Sequence, residues 1–242
     1  MRVFVISLLQ CELRRAHVDN QMRMQDVPYR FFDAIDGKAG YRTSFEHYDQ
    51  TQFIIRTGRD ARPGEVGCFA SHRELWKDCV ASNEPFVILE DDVELAPNFS
   101  TALGVSDGLI SRFGFVRLQV ENRAKSLKLL DIDKFELHFY TKVPHGAAGY
   151  CISPDVAKRF LKATSTLAMP VDVFIKYVWE HKQPVFGLLP YTVGPSWMAS
   201  HSTIGARPKL KKSFPERSAR FAQKLRFVTS RSRFNRAATR RL

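Results

Sequence analysis

Hydrophobic residues along the chain fall into short blocks parted by polar stretches, and the blocks alternate between strand-like and helix-like periods. Val3 to Leu9 runs almost without polar interruption and is rich in β-branched and aromatic residues, the pattern of a strand buried on both faces. Glu12 to Met24 is charged and helical in character. Arg30 to Ile35 predicts a second strand, stopped by the turn signal Asp36-Gly37. Residues 38–62 are mixed and give no clear element. Gly64 to Ser82 predicts a helix opened by Pro63-Gly64, because Cys68, Ser71, Leu75 and Cys79 recur at spacings of three or four. Asn83-Glu84-Pro85 ends it, and Phe86 to Leu89 follows as a short apolar strand. Further strands are expected at Phe113 to Val120, Phe135 to Thr141 and Val185 to Leu189. Helices are expected at Pro154 to Ala163 and Val171 to Glu180, with a turn-rich stretch at Gly146 to Ser153. This alternation predicts an α/β sandwich around a mixed, largely parallel sheet.

Composition adds little until the charge is located. The 242 residues are 44% hydrophobic and 12% aromatic, as in ordinary globular proteins. The apolar opening is too short for a signal-peptide core and lacks a small-residue cleavage pattern, so the expected location is the cytoplasm. Cys11, Cys68, Cys79 and Cys151 are scattered, without a C-x-x-C pair, and read as reduced thiols. The formal charge is +12, and residues 207–242 hold thirteen Lys or Arg against the single acid Glu216. That segment therefore carries the whole net charge, and the other 206 residues balance 24 basic against 24 acidic groups. Two units follow: a body over 1–206 and a basic tail over 207–242.

The sharpest local feature is Glu90-Asp91-Asp92, directly after the apolar strand Phe86-Val87-Ile88-Leu89. Three adjacent acids repel one another unless something positive sits beside them. In open α/β sheets, ligands bind outside the carboxyl ends of strands, where these residues fall. Glu90 and Asp92 point the same way in extended backbone, and two hard oxygen ligands suit Mn²⁺ or Mg²⁺ holding a diphosphate. A solvated loop with helix-capping acids is the plain alternative.

In these residues the sequence resembles glycosyltransferase family 25, the lipooligosaccharide galactosyltransferase group that includes collagen galactosyltransferases. The resemblance rests on Val3-Phe4-Val5-Ile6-Ser7-Leu8 with Arg14-Arg15, and on Asp33-Ala34-Ile35-Asp36-Gly37. It continues through Gly64-Glu65-Val66-Gly67-Cys68-Phe69-Ala70-Ser71-His72 and Ile88-Leu89-Glu90-Asp91-Asp92. Gly149-Tyr150-Cys151-Ile152-Ser153 and Pro170-Val171-Asp172 with Trp179 complete it in family order, across roughly residues 3 to 205. The resemblance implies a GT-A-like nucleotide-sugar-binding fold, a UDP-galactose donor and transfer with inversion onto a lipopolysaccharide or lipooligosaccharide acceptor. On that analogy Asp92 is the leading metal ligand, and Glu90 binds the metal or the donor ribose.

Inverting transfer needs a base for the acceptor hydroxyl, and Asp172 is the candidate; its structural alternative is an acid in the first turn of a helix. Ser7, Arg14, Arg15, Asp36, Ser71, His72, Glu90 and Asp91 form the expected donor site, with one of the arginines offered to phosphate. His201 is a third metal-ligand candidate by fold-level analogy. Tyr150 and Trp179 are sugar-stacking candidates whose default role is core packing.

In the tail, Phe214, Phe221, Leu225 and Val228 share a face if residues 214–232 are helical, flanked by Arg217, Arg220, Lys224, Arg226 and Arg231. A basic amphipathic helix suits an anionic membrane surface, which places the chain on the inner face of the cell membrane; a disordered basic tail is the alternative. Three rival functions stand beside the transferase: a nucleic-acid-binding protein using the tail, a nucleotidyltransferase, for which the usual glycine-rich phosphate loop is lacking, and a non-catalytic sugar-nucleotide-binding relative. A neutral body with an acidic strand end makes a poor nucleic-acid surface, so no nucleic-acid partner is expected.

Overall fold

The computed structural model describes residues 1–38, 47–119, 124–200 and 214–241. In chain order the elements are β1 (Arg2–Ser7), α1 (Glu12–Met24), β2 (Arg30–Asp33), β3 (His47–Tyr48), α2 (Gln50–Thr57), α3 (Pro63–Ser82) and β4 (Phe86–Glu90). Then come β5 (Val93–Leu95), α4 (Phe99–Phe113), β6 (Phe115–Arg117), β7 (Lys125–Ile132), β8 (Phe135–Lys142), β9 (Gly149–Ile152) and α5 (Pro154–Ala163). The remainder is β10 (Thr166–Leu167), α6 (Val171–Lys176), α7 (Val178–His181), β11 (Phe186–Leu189), β12 (Val193–Pro195) and α8 (Phe214–Thr239).

Eight strands form one sheet in the order β2-β1-β4-β9-β6-β11-β8-β7. Strand β1 pairs parallel to β2 and β4, and β6 parallel to β11. The other four pairings are antiparallel. The sheet is mixed, as expected, but the expectation that it is largely parallel fails. The main cause is β9, which runs antiparallel between β4 and β6 in the middle of the sheet. Gly146 to Ser153 reads as turn-rich because of its small residues, yet Gly149 through Ile152 are all buried strand. Gly149 is small for a packing reason: a Cβ there would lie 2.9 Å from Val193 Cγ1.

Side chains alternate across the sheet and feed two apolar layers. Phe4, Ile6, Phe86, Ile88, Tyr150 and Ile152 meet α3, α5, α6 and α7 on one face. Val3, Val5, Val87, Leu89 and Cys151 meet α1 and α4 on the other. Each large side chain removed from water here contributes about 1.5–3 kcal/mol, which is why β1 and β4 read as continuous apolar runs.

Helix α3 starts where Pro63 fits the first turn and the Arg62 amide donates to Glu65 Oε2 at 3.2 Å; Asn83, at φ 53°, ends it. Gly37 packs on this first turn, where a Cβ would sit 1.6 Å from the Pro63 carbonyl oxygen. Val171 to Glu180 is two short helices, α6 and α7, rather than one.

Helix α8 lies against the α/β body. The Phe227 ring meets Tyr177 and Trp179 edge-on at 5.0 and 4.9 Å. Asn235 Nδ2 donates to the Thr141 carbonyl at 2.7 Å, and Ala238 is buried. Phe221, Leu225 and Val228 remain exposed at 65%, 53% and 52%. No described helix is long and apolar enough to cross a membrane.

Candidate active site

The three acids leave β4 in three directions. Asp91 turns inward, accepting from Ser7 Oγ at 2.7 Å and Arg14 Nη1 at 2.9 Å, and is buried. It ties β1 and α1 to the end of β4, and Ser7 and Arg14 are engaged in holding it. Glu90 turns toward α3: its Oε1 lies 3.4 Å from His72 Nε2 and 3.8 Å from Cys68 Sγ. Asp92 keeps a partly open carboxylate, 3.8 Å from Arg14 Nη1.

Burial, reinforced first by the Glu90 charge, pushes the Asp92 carboxyl up to about 6, with Arg14 opposing. A carboxyl raised by burial and by a neighbouring carboxylate makes a donor set that a hard divalent cation relieves. Asp92 and Glu90 therefore fit such an ion. His201 lies outside the described residues.

His72 is fully buried on α3, one turn after Cys68. Its Nδ1 meets Tyr150 Oη at 2.8 Å, and Tyr150 Oη also accepts from Trp76 Nε1 at 2.9 Å. Tyr150 is thus core, stacked on His72 and Phe115, and no sugar platform. Trp179, half-buried, packs against Phe227 of α8. Ser71 is also buried; its Oγ donates to the Gly67 carbonyl and accepts from the Ile35 amide, both at 2.8 Å. That bond holds the loop carrying Asp36, whose Oδ1 caps the Lys38 amide at 2.9 Å. Arg15 donates to the Ser7 and Leu8 carbonyls and pairs with Asp33, tying together the ends of β1 and β2.

Asp172 sits in the first turn of α6, where Oδ1 accepts from the Val173 amide at 2.8 Å. Its Oδ2 lies 3.3 Å from His145 Nδ1, and Lys176 Nζ lies 2.8 Å from His145 Nε2. An ammonium only donates, so Nε2 accepts and the Nδ1–H points at Asp172. The imidazole loop is itself held: buried Arg117 donates to the His145 and Gly146 carbonyls, each at 2.7 Å. Burial raises the Asp172 carboxyl, but the His145 hydrogen bond, the Val173 amide and the Lys176 charge outweigh it and hold it below its usual value. The carboxylate is therefore ionised at neutral pH and can accept a proton.

The family described as glycosyltransferase family 25 (LPS biosynthesis protein) matches residues 1–175. The chain belongs to this family. The lipooligosaccharide biosynthesis protein lic2B of Haemophilus influenzae is 27% identical over 185 residues, covering 71% of this chain and 68% of that protein. The lacto-N-neotetraose biosynthesis glycosyltransferase LgtE of Neisseria gonorrhoeae is 26% identical over 209 residues, 78% of this chain and 72% of that protein. A rat protein described as a probable inactive glycosyltransferase 25 family member 3 is 34% identical over 109 residues, 42% of this chain and 18% of its own length.

The family 25 match contains every expected site residue except Trp179 and His201, and ends before α7, β11 and α8. Of these residues, the fold brings Glu90 to His72, sets Asp92 beside Arg14, and leaves Asp172 facing His145. Beside Glu90, the Cys68 thiol is pushed well above its usual range, by burial first and then by the charges of Glu90, Asp172 and Asp92. A cleft of about 510 Å³ opens beside Asp172 between α2, α6 and α8, lined by Arg59, Lys176, Arg220 and Lys224 among others. Glu90 and Asp92 do not line it. Sequence reasoning missed His145 and Lys176 as partners of Asp172, and Cys68 as a neighbour of Glu90. His145 carries no sequence signal, because 27 residues separate it from Asp172; Cys68 and His72 do, at helical i, i+4 spacing.

Proposed function

We propose that this family 25 glycosyltransferase is an inverting, metal-dependent enzyme of GT-A type, moving galactose from UDP-galactose to a lipopolysaccharide or lipooligosaccharide acceptor. The observation that supports the reading is the pair of carboxylates at the end of β4, Glu90 and Asp92, with Asp92 pushed up to about 6 by burial and then by the Glu90 charge. The donor diphosphate lies at the end of β4, beside Asp92 and Arg14. The chemistry that Mn²⁺ or Mg²⁺ supplies when bound by Asp92 and Glu90 is neutralisation of charge building on the diphosphate.

The chain's own residues do the rest. Asp172, kept ionised by His145, accepts the proton of the acceptor hydroxyl as the new bond forms. Arg14 neutralises Asp91, so that only Glu90 and Asp92 keep charge for the ligand side. The acceptor enters through the cleft between α2, α6 and α8. The enzyme sits peripherally on the inner face of the cell membrane, with Phe221, Leu225 and Val228 of α8 directed at anionic lipid. Nucleoside diphosphate release, measured over a panel of nucleotide sugars with Mn²⁺ and again with EDTA, tests the reaction. Release confined to UDP-galactose and abolished by EDTA is expected; undiminished release in EDTA refutes the metal, and release from another donor refutes the sugar.

A further inference from the structure

We propose that Cys68, His72 and Glu90 form a binding site for a thiophilic divalent cation, Zn²⁺ above all, distinct in chemistry from the hard-cation role of Asp92. The three offer one sulfur, one nitrogen and one oxygen, all within 4.8 Å of one another. Zinc bonds of about 2.3 Å to sulfur and 2.0–2.2 Å to nitrogen or oxygen, at tetrahedral angles, set ligand atoms roughly 3.3–3.6 Å apart. His72 Nε2 and Glu90 Oε1 are already 3.4 Å apart, and Cys68 Sγ is 3.8 Å from the same oxygen. Closing the set brings the sulfur a few tenths of an ångström nearer Glu90 Oε1 and in toward His72 Nε2 from no more than 4.8 Å.

The surroundings are those of a ligand site. Cys68 and His72 occupy one face of α3 a single turn apart, and Glu90 comes from the opposite wall at the end of β4. The His72 ring is fixed through its other nitrogen, since Nδ1 bonds Tyr150 Oη at 2.8 Å and Trp76 Nε1 anchors that hydroxyl in turn. Metal-ligating imidazoles are oriented in this manner, by a hydrogen bond at the nitrogen that does not bind the ion. Charge also closes: a thiolate and a carboxylate cancel a divalent cation, so the filled site is neutral where His72 is fully buried. Binding releases the thiol proton to solvent, which makes the affinity rise with pH.

The site itself rests on no reading of the reaction. One consequence does: Glu90 cannot serve both sets, so Zn²⁺ antagonises Mn²⁺-dependent transfer. The test uses the full chain titrated with Co²⁺ in place of Zn²⁺, reading the sulfur-to-cobalt charge-transfer absorption, followed by displacement with Zn²⁺. One ion per chain with a sulfur band is expected, and Cys68→Ser loses the band and weakens Zn²⁺ by an order of magnitude or more. Cys68→Ala and Glu90→Gln give second readings from a smaller side chain and from the opposite wall, with melting curves confirming the fold. No sulfur band in the wild type, or a band that survives Cys68→Ser, overturns the proposal. Neither readout depends on sugar transfer, so this test stands even if the proposed reaction fails.

Discussion

Replacing Asp92 by Asn makes the protein more stable at neutral pH while removing a residue proposed to act in transfer. The carboxyl is raised from 3.8 to about 6 in the folded chain, by burial and then by Glu90. A raised carboxyl means that the folded form holds the proton more readily than the unfolded form between those values. The ionised fold is therefore penalised above pH 6, and the penalty vanishes as pH falls below the unfolded value. The displacement corresponds to about 3 kcal/mol, of which about half remains at pH 5. Asn carries no charge at any pH, so Asp92→Asn gains about 2–3 kcal/mol at pH 7.5. For a chain of this length that is a rise of about 5–10 °C in Tm. Denaturant unfolding of both proteins at pH 7.5 and pH 5 measures it. A variant no more stable than wild type at pH 7.5, or a gain equal at both pH values, refutes the reasoning. Mn²⁺ stabilises wild type at pH 7.5 and leaves the variant nearly unmoved.

Asp172→Asn lowers kcat by about 10²–10⁴-fold with little change in donor binding, the range for loss of a general base; steady-state kinetics against a fixed acceptor check it. His145→Ala removes the hydrogen bond that holds Asp172 down, so the acid limb of the kcat/KM profile moves to higher pH; an unmoved limb refutes the pairing. His181, buried between Phe160 and Phe174, has its pKa pushed down by burial from 6.5 to about 3. The folded chain therefore resists its protonation, and stability is lost as pH falls from about 6.5 toward 3, by roughly 4–5 kcal/mol in total. His181→Gln flattens that loss in denaturation curves taken across the same interval. Changing Phe221, Leu225 and Val228 together to Ser leaves the melting temperature nearly constant, because all three are exposed, and abolishes sedimentation with anionic vesicles. Equal binding of wild type to neutral vesicles speaks against the membrane reading.

The sequence by itself determined which segments are core. The unbroken apolar runs at Val3 to Ile6 and Phe86 to Leu89 fix β1 and β4, and strands so apolar are stable only between two layers. It also determined that charge collects where β4 ends, and the family motifs named the residues there. Tertiary structure alone decided strand direction, because β9 is antiparallel through pairings with β4 and β6 that its small residues do not announce. It decided too that three adjacent acids have three different fates: Asp91 neutralised by Arg14, Glu90 turned to His72 and Cys68, and Asp92 left partly open. In the tail, the exposed stripe was legible from helical spacing, whereas the docking of Phe227 on Tyr177 and Trp179 was not. Periodicity reports that a side chain has an apolar face, but which surface that face meets depends on contacts between residues far apart in the chain, and those exist only once it is folded.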